Sequence, residues 1–159
     1  MNALIVYYSL SGTTRTVALA LARELGADLE ELRCHRYSRG LLGFLRASYD
    51  SWRDNPAPIE PPIHMLSHYD LVLVGGPIWA FHPATPVRAY LRQEASRLPD
   101  VAFFLTHGGS AAQASLREME QLAGRPPIAT LVLREAQVKQ GFASDILSFA
   151  ATLRTKKAA

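Results

Sequence analysis

Short runs of apolar residues recur along the chain and are separated by stretches with helical spacing. The runs at 3–8, 71–74 and 101–106 are too short for long helices and almost wholly apolar, which predicts central strands of a sheet covered on both faces. At 28–34 apolar and charged residues alternate, which is typical of an edge strand, and 128–133 supplies a fifth strand.

Helical patterns fill the intervals between these strands. Helices are predicted at 17–26, 40–52, 85–97, 111–122 and 143–153. In the second of them Leu41, Leu45, Tyr49 and Trp52 recur on one face, so we expect an amphipathic helix with Tyr49 and Trp52 in the core, the alternative being a lid-like role for these two residues.

The alternation of strands and helices predicts an α/β fold. Three central apolar strands imply a parallel, doubly wound sheet with helices on both faces and a ligand crevice beyond the carboxyl ends of the strands. The proline-rich segment 55–62 is expected to be an extended linker inside one domain, so residues 1–159 are predicted to form a single domain.

Composition narrows the function classes. The chain is 48% apolar and 19% charged, as in globular proteins, and it contains no apolar run of membrane-spanning length. Its net charge of +3 is too small and scattered to indicate nucleic-acid binding. Cys34 is the only cysteine and no export signal is recognisable, so we expect a cytoplasmic protein; no metal site is expected either.

A hydroxyl-rich loop joins the first strand to the first helix. Ser9, Ser11, Thr13 and Thr14 can donate hydrogen bonds, and a helix N-terminus adds free N–H groups, so the loop is suited to a phosphate without a lysine. The loop has neither the G-x-x-x-x-G-K pattern of nucleotide triphosphate hydrolases nor G-x-G-x-x-G. The alternative is a serine- and threonine-rich cap on an ordinary helix.

Three loops together resemble the flavodoxin family, specifically its short-chain members. The segment Ser9-Leu10-Ser11-Gly12-Thr13-Thr14 matches the family's phosphate loop, Gly76-Pro77-Ile78-Trp79 follows the third strand where the first flavin loop lies, and Thr106-His107-Gly108-Gly109-Ser110 follows the fourth strand where the second one lies. The resemblance implies a flavodoxin-like five-stranded parallel sheet of order 2-1-3-4-5 and FMN as cofactor. The uninterrupted strand at 128–133 lacks the insertion of long-chain members.

The resemblance also assigns the cofactor-binding residues. They are Ser9, Leu10, Ser11, Gly12, Thr13, Thr14, Pro77, Ile78, Trp79, Ala80, Phe81, Thr106, His107, Gly108 and Gly109. By the same resemblance Ser9, Ser11, Gly12, Thr13 and Thr14 would hold the phosphate, while Pro77, Ile78, Trp79, His107, Gly108 and Gly109 would lie against the ring. We expect Trp79 to stack on the flavin rather than join the core. Arg15 either steers the phosphate or lies in solvent. His82 and His107 are expected to be hydrogen-bonding loop residues, and no catalytic residue is assigned.

The implied function is electron transfer through non-covalent FMN, to a redox partner protein or a small acceptor, by a monomer or homodimer. The alternative is an NAD(P)H-dependent reductase of quinones or other small molecules.

Two other function classes do not fit the sequence. A signalling receiver domain is excluded because no carboxylates follow the first and third strands, and a phosphatase is excluded because residues 34–39 do not fit the C-x5-R loop. A member of the family that has lost its flavin and serves as an interaction module also stays possible.

The charges near the implied ring differ from those of acidic flavodoxins. The three flavin loops contain no carboxylate, whereas His82, Arg88 and His107 are placed to supply positive charge. We therefore expect the second one-electron potential of the flavin to be less negative than in an acidic flavodoxin. The same lack of carboxylates argues against docking to basic partner proteins through an acidic face.

Overall fold

The computed structural model describes residues 1–38, 40–109 and 112–158. A parallel sheet occupies the centre of the fold. Its strands are β1 Ala3–Tyr7, β2 Asp28–Glu31, β3 Leu71–Trp79, β5 Asp100–His107 and β6 Thr130–Arg134, while β4, His82–Pro83, pairs antiparallel with the end of β3. The parallel strands lie in the spatial order β2-β1-β3-β5-β6. The predicted order 2-1-3-4-5 is confirmed, since the short β4 only shifts the numbering.

Helices cover both faces of this sheet, as predicted. They are α1 Thr13–Leu25, α2 Leu41–Arg53, α3 Thr85–Glu94, α4 Ala112–Ala123, α5 Glu135–Gln140 and α6 Ala143–Ala158, with 3-10 turns at Leu66–His68 and Ala95–Arg97. The short α5 was not predicted, and position 111, where the fourth helix was expected to begin, lies outside the described residues. Within the described ranges no helix has the length and apolarity needed to cross a bilayer.

Two hydrophobic cores lie on opposite faces of the sheet. Residues of α1 and α6, such as Leu21 and Phe149, pack on one face with Phe104 of β5. Residues of α3 and α4 pack on the other face, where Val87 and Met119 are fully buried. Since the central strands are buried on both sides, their carboxyl ends and the loops that follow β1, β3 and β5 are held at one edge.

Two glycines near the end of β3 are required by packing. A Cβ at Gly75 would lie 2.3 Å from Cζ of Phe104, and a Cβ at Gly76 would lie 2.6 Å from Cγ2 of Val87. These glycines therefore allow β3 to pack against both layers at the start of the segment that the sequence assigned to the flavin.

Helix α2 is oriented differently from the prediction. Tyr49 and Trp52, expected in the core, are 56% and 64% exposed, and Leu41 and Leu45 on the same face are also exposed. The inward side consists of small and polar residues, namely Gly43, Ala47, Asp50 and Ser51. The apolar stripe was recognised correctly, but spacing alone does not show which side of a helix meets the core.

Candidate functional site

The hydroxyl loop after β1 has the geometry of an anion cradle. Gly12 has φ = +100°, a left-handed conformation that favours glycine, and α1 begins at the next residue. The Oγ of Ser9 accepts hydrogen bonds from the amides of Gly12, at 3.1 Å, and Arg15, at 3.2 Å. Ser9 thereby shapes the loop and caps the first turn of α1.

Several donors of this loop remain open. Among the described residues, the amides of Leu10, Ser11, Thr13 and Thr14 donate to no protein acceptor. The hydroxyl oxygens of Ser11 and Thr13 lie 3.3 Å apart at the surface, and the first turn of α1 contains no acidic residue. Unpaired amides at a helix N-terminus, next to hydroxyls and without a carboxylate, suit a phosphate group.

Thr14 differs from the expectation that its hydroxyl holds the phosphate. Its Oγ1 is buried and lies 2.7 Å from Oγ1 of Thr106 at the end of β5. This bond ties the start of α1 to the third of the three loops, and the contribution of Thr14 to the cradle is its backbone amide.

Arg15 is directed away from the cradle. One nitrogen of its guanidinium lies 2.6 and 2.7 Å from the two carboxylate oxygens of Glu31 at the end of β2. Of the two roles considered for Arg15, the structure shows its side chain in a partly exposed ion pair with Glu31.

The loop after β3 is a tight hairpin with a strained backbone. Ala80 and Phe81 both have positive φ, +45° and +72°, as in the central positions of a type I′ turn, where non-glycine residues cost about 1–2 kcal/mol each. Bonds from distant elements hold it: Ser51 Oγ donates to the carbonyl of Trp79, and Ser115 Oγ donates to that of Phe81. Sequence reasoning missed both serines, because neither lies in a recognisable motif.

Charges beside this hairpin are compensated. His82 Nδ1 lies 2.6 Å from Oε2 of Glu118, and Nε of Arg88 lies 2.7 Å from Oε1 of the same carboxylate. Within the described ranges the Nε–H of Arg88 has no acceptor in hydrogen-bonding geometry, so its contact with Glu118 is mainly electrostatic. Buried Arg88 also pairs with Asp54 at 2.8 Å. His82 and Arg88, which were expected to supply positive charge near the ring, are therefore each paired with a carboxylate.

A cavity of about 150 Å³ lies between the second and third loops. It is lined by Ile78, Ala80, Phe81, His107, Gly108 and Gly109, all of which were assigned to cofactor binding. The side chain of Phe81 is 65% exposed there, and a Cβ on either glycine would meet open space. Ser110, from the same loop motif, lies outside the described residues. Larger cavities occur elsewhere, but they are distant from the three loops.

Trp79 is enclosed in the core, in contrast to the expected stacking role. It is only 3% exposed, and its ring makes edge contacts with Tyr8 and Tyr37 at centroid distances of 5.4 and 5.3 Å. Phe81 is the aromatic residue with an exposed side chain at the cavity, while Trp79 contributes its backbone to the hairpin. Pro77 is half-buried, and its carbonyl accepts the amide of Ala84 at 2.9 Å.

His107 is the buried polar group at the cavity. It is 9% exposed, and its Nδ1 has no hydrogen-bond partner among the described residues. Burial, and then the charge of Arg134, lowers the pKa of its imidazole below 6.5. A neutral ring at pH 7 with an unpaired nitrogen is suited to hydrogen-bond a polar ring edge.

The fold and the site together define a doubly wound protein that binds a flat ring with an anionic tail. The tail fits the open amides after β1, and the ring edge fits the cavity with its orphaned imidazole nitrogen. The chain belongs to the flavodoxin family, whose model matches residues 2–141. FMN is therefore its cofactor, and the residues that line the cradle and the cavity fit it.

Solved structures agree with this assignment. A flavoprotein from Lactobacillus acidophilus NCFM, crystallised in complex with FMN, is 27% identical and superposes with a TM-score of 0.71, covering 87% of this chain and 97% of that one. The flavodoxin of Megasphaera elsdenii is 21% identical with a TM-score of 0.56, over 94% and 98% of the chains.

A WrbA-like flavodoxin from Agrobacterium tumefaciens is 14% identical with a TM-score of 0.64, over 99% and 98% of the chains. The likenesses to the Megasphaera elsdenii and Agrobacterium tumefaciens proteins show the fold alone. No curated protein matches the sequence.

Proposed function

We propose that this protein transfers electrons through non-covalently bound FMN. The observation that carries the proposal is that the amides of Leu10, Ser11, Thr13 and Thr14, which bond to no acceptor in the described part of the chain, lie on the same sheet edge as the ring-lining cavity. A relative that is 27% identical was crystallised with FMN, which supports this reading.

The residues of the chain hold and enclose the cofactor rather than react with it. Bound FMN supplies one-electron and two-electron chemistry. The open amides would bind the phosphate, and the exposed side chain of Phe81 would cover part of the ring and exclude water. Neutral His107 would donate or accept one hydrogen bond at Nδ1. No side chain is needed as an acid or base for this role.

The charges favour a moderate change in redox potential. The loops that carry the site contain no carboxylate, but Glu118 and Asp54 balance Arg88 and His82 nearby. We propose that the second one-electron potential lies above that of an acidic flavodoxin. The increase should be smaller than it would be if Arg88 and His82 had no carboxylate partners. Potentiometric titration of the holoprotein measures this directly.

A reductase is the second candidate. The exposed side chain of Phe81 at the cavity is the feature that favours it, since an aromatic ring at the edge of the flavin site offers a surface on which a nicotinamide or a small planar acceptor such as a quinone could stack. We favour a carrier because no second nucleotide motif is present in the sequence.

Adding NADPH or NADH to anaerobic holoprotein separates the two functions. Bleaching of the flavin absorbance within seconds supports a reductase, and unchanged absorbance supports a carrier. We further propose a cytoplasmic location, which is supported by the lone free thiol of Cys34.

A further inference from the structure

Helix α2 turns its large apolar side chains toward solvent. They form a surface that we call the α2 face, in which each side chain is between 51% and 83% exposed. Its members are Leu41, Leu42, Phe44, Leu45, Tyr49 and Trp52. A continuous apolar surface of this kind on a folded protein indicates an interaction site.

The orientation of α2 is fixed by its inward side. A Cβ at Gly43 would lie 1.7 Å from the carbonyl oxygen of Ser38, so only glycine permits this approach. Asp50 is buried in an ion pair with Arg36, and Ser51 donates to the carbonyl of Trp79. The helix cannot roll its apolar face inward without breaking these contacts, so the exposure is a built feature of the fold.

The charges on this face have one sign. Arg46 and Arg53 are exposed, and neither forms an ion pair with any described residue. The guanidinium of Arg53 lies 5.7 Å from the ring centroid of Trp52, at the edge of the apolar surface. The nearby carboxylates are already engaged, since Asp50 is buried and Asp54 pairs with two arginines. A complementary surface would have an apolar centre and an acidic rim.

We propose that the α2 face docks a one-electron redox protein with an acidic, apolar-centred contact surface. The proposal rests on the electron-transfer function proposed above. Helix α2 is held against the hairpin that follows β3 and lines the ring cavity. Ser51 of α2 donates to the carbonyl of Trp79, and buried Arg88 donates to the carbonyl of Ser51. The inner side of α2 thus contacts the hairpin whose turn carries exposed Phe81, while its outer side carries the α2 face.

Two other occupants fit less well. In a symmetric dimer with α2 at its centre, Arg46 and Arg53 would face the same arginines of the second copy, and like charges would repel. An anionic bilayer attracts clusters of four to eight cations, whereas the α2 face has two exposed arginines. Both occupants are outcomes of the test below.

The test uses FMN-loaded protein, reduced anaerobically with dithionite, and two haem proteins as acceptors. Cytochrome b5 has an acidic surface around its haem edge, and cytochrome c has a basic one. In each reaction one electron leaves the reduced holoprotein and converts a ferric haem to a ferrous haem. Stopped-flow absorbance gives the second-order rate constant as a function of ionic strength.

The variants change the charge and the apolar area separately. Arg46→Glu with Arg53→Glu reverses the charge, and Leu42→Gln with Leu45→Gln removes apolar area. Control variants on the opposite layer are Arg23→Glu, an exposed arginine at the end of α1, and Leu147→Gln, an exposed leucine of α6. Circular dichroism and FMN affinity verify that each variant is folded and loaded.

We expect the rate with cytochrome b5 to exceed that with cytochrome c and to fall as salt is added. The charge reversal should slow the cytochrome b5 reaction at low salt by about tenfold or more and remove its salt dependence. The leucine variant should be slower at every salt concentration, and both controls should match the wild type.

Each contrary result has a distinct meaning. Wild-type rates in both α2 variants overturn the docking proposal but leave the proposed function standing, whereas failure of the wild type to bind FMN overturns the function itself. Sedimentation as a dimer that the leucine variant abolishes assigns the face to a second copy. Cosedimentation with phosphatidylcholine–phosphatidylglycerol vesicles assigns it to a membrane.

Discussion

Replacing Thr14 by valine tests whether its hydroxyl serves the fold or the phosphate. The two side chains have the same shape, but valine removes the oxygen that lies 2.7 Å from Oγ1 of Thr106. Both threonines are at most 2% exposed, so the remaining hydroxyl of Thr106 has no access to water.

The structure fixes the size of the expected effect. Leaving a buried hydroxyl unpaired costs about 1–3 kcal/mol, so Thr14→Val should lower the free energy of unfolding of the apoprotein by that amount. Replacing both threonines by valine removes the unpaired group and should restore most of the loss. The double-mutant cycle should then give a coupling of about 1–3 kcal/mol between the two positions.

Urea unfolding of the apoprotein and quenching of FMN fluorescence are the assays. Because Thr14→Val keeps the backbone amide, the FMN dissociation constant should stay within about threefold of wild type. Thr13→Val is the matched control, since its partly exposed hydroxyl has no buried partner; it should weaken FMN binding about tenfold and leave stability unchanged. Tenfold weaker FMN binding by Thr14→Val at unchanged stability would refute the reasoning.

Three further predictions follow from single positions. Gly75→Ala places a methyl group against the ring of Phe104 and should cost the apoprotein about 1–3 kcal/mol in thermal unfolding, whereas Gly109→Ala, with open space at its Cβ, should leave apoprotein stability intact and weaken only FMN binding. Because the pKa of His107 is lowered on folding, the apoprotein should lose stability as pH falls through about 6.5; His107→Asn should remove that loss in urea unfolding at several pH values, and an unchanged pH profile would contradict it. Arg36 lowers the pKa of Asp50 from 3.8 to about 2, so the ion pair stabilises the fold above about pH 4 and this contribution is lost as pH falls from about 4 to about 2; acid titration of Asp50→Asn should lack this step.

The sheet and its loops could be predicted because their signals are local. Apolar runs such as 101–106 are recognisable without any distant contact, and parallel strands bring their following loops to one edge. For the same reason the sequence located the hydroxyl loop at 9–14 between the first strand and the first helix. Its anion-binding character depends mainly on backbone amides at a helix N-terminus, which the strand–loop–helix order already implies.

The errors concern long-range packing. The sequence interpretation ended the third strand at Val74, whereas β3 continues to Trp79 and turns back through β4, which encloses Trp79 with Tyr8 and Tyr37. The charge on Arg88 was considered without Glu118, which reaches it from another helix. A periodic pattern gives the apolar stripe of a helix such as α2 but not the direction in which the stripe points.

The central claim is that open amides and hydroxyls after β1 hold a phosphate, and comparing FMN with riboflavin tests it most directly. Riboflavin has the same ring but lacks the phosphate. Since each hydrogen bond to a charged group contributes about 1.5–3 kcal/mol, two of them already predict that the apoprotein binds FMN at least about a hundredfold more tightly than riboflavin in fluorescence titrations. Equal affinity for the two flavins, or binding of neither, would contradict the account.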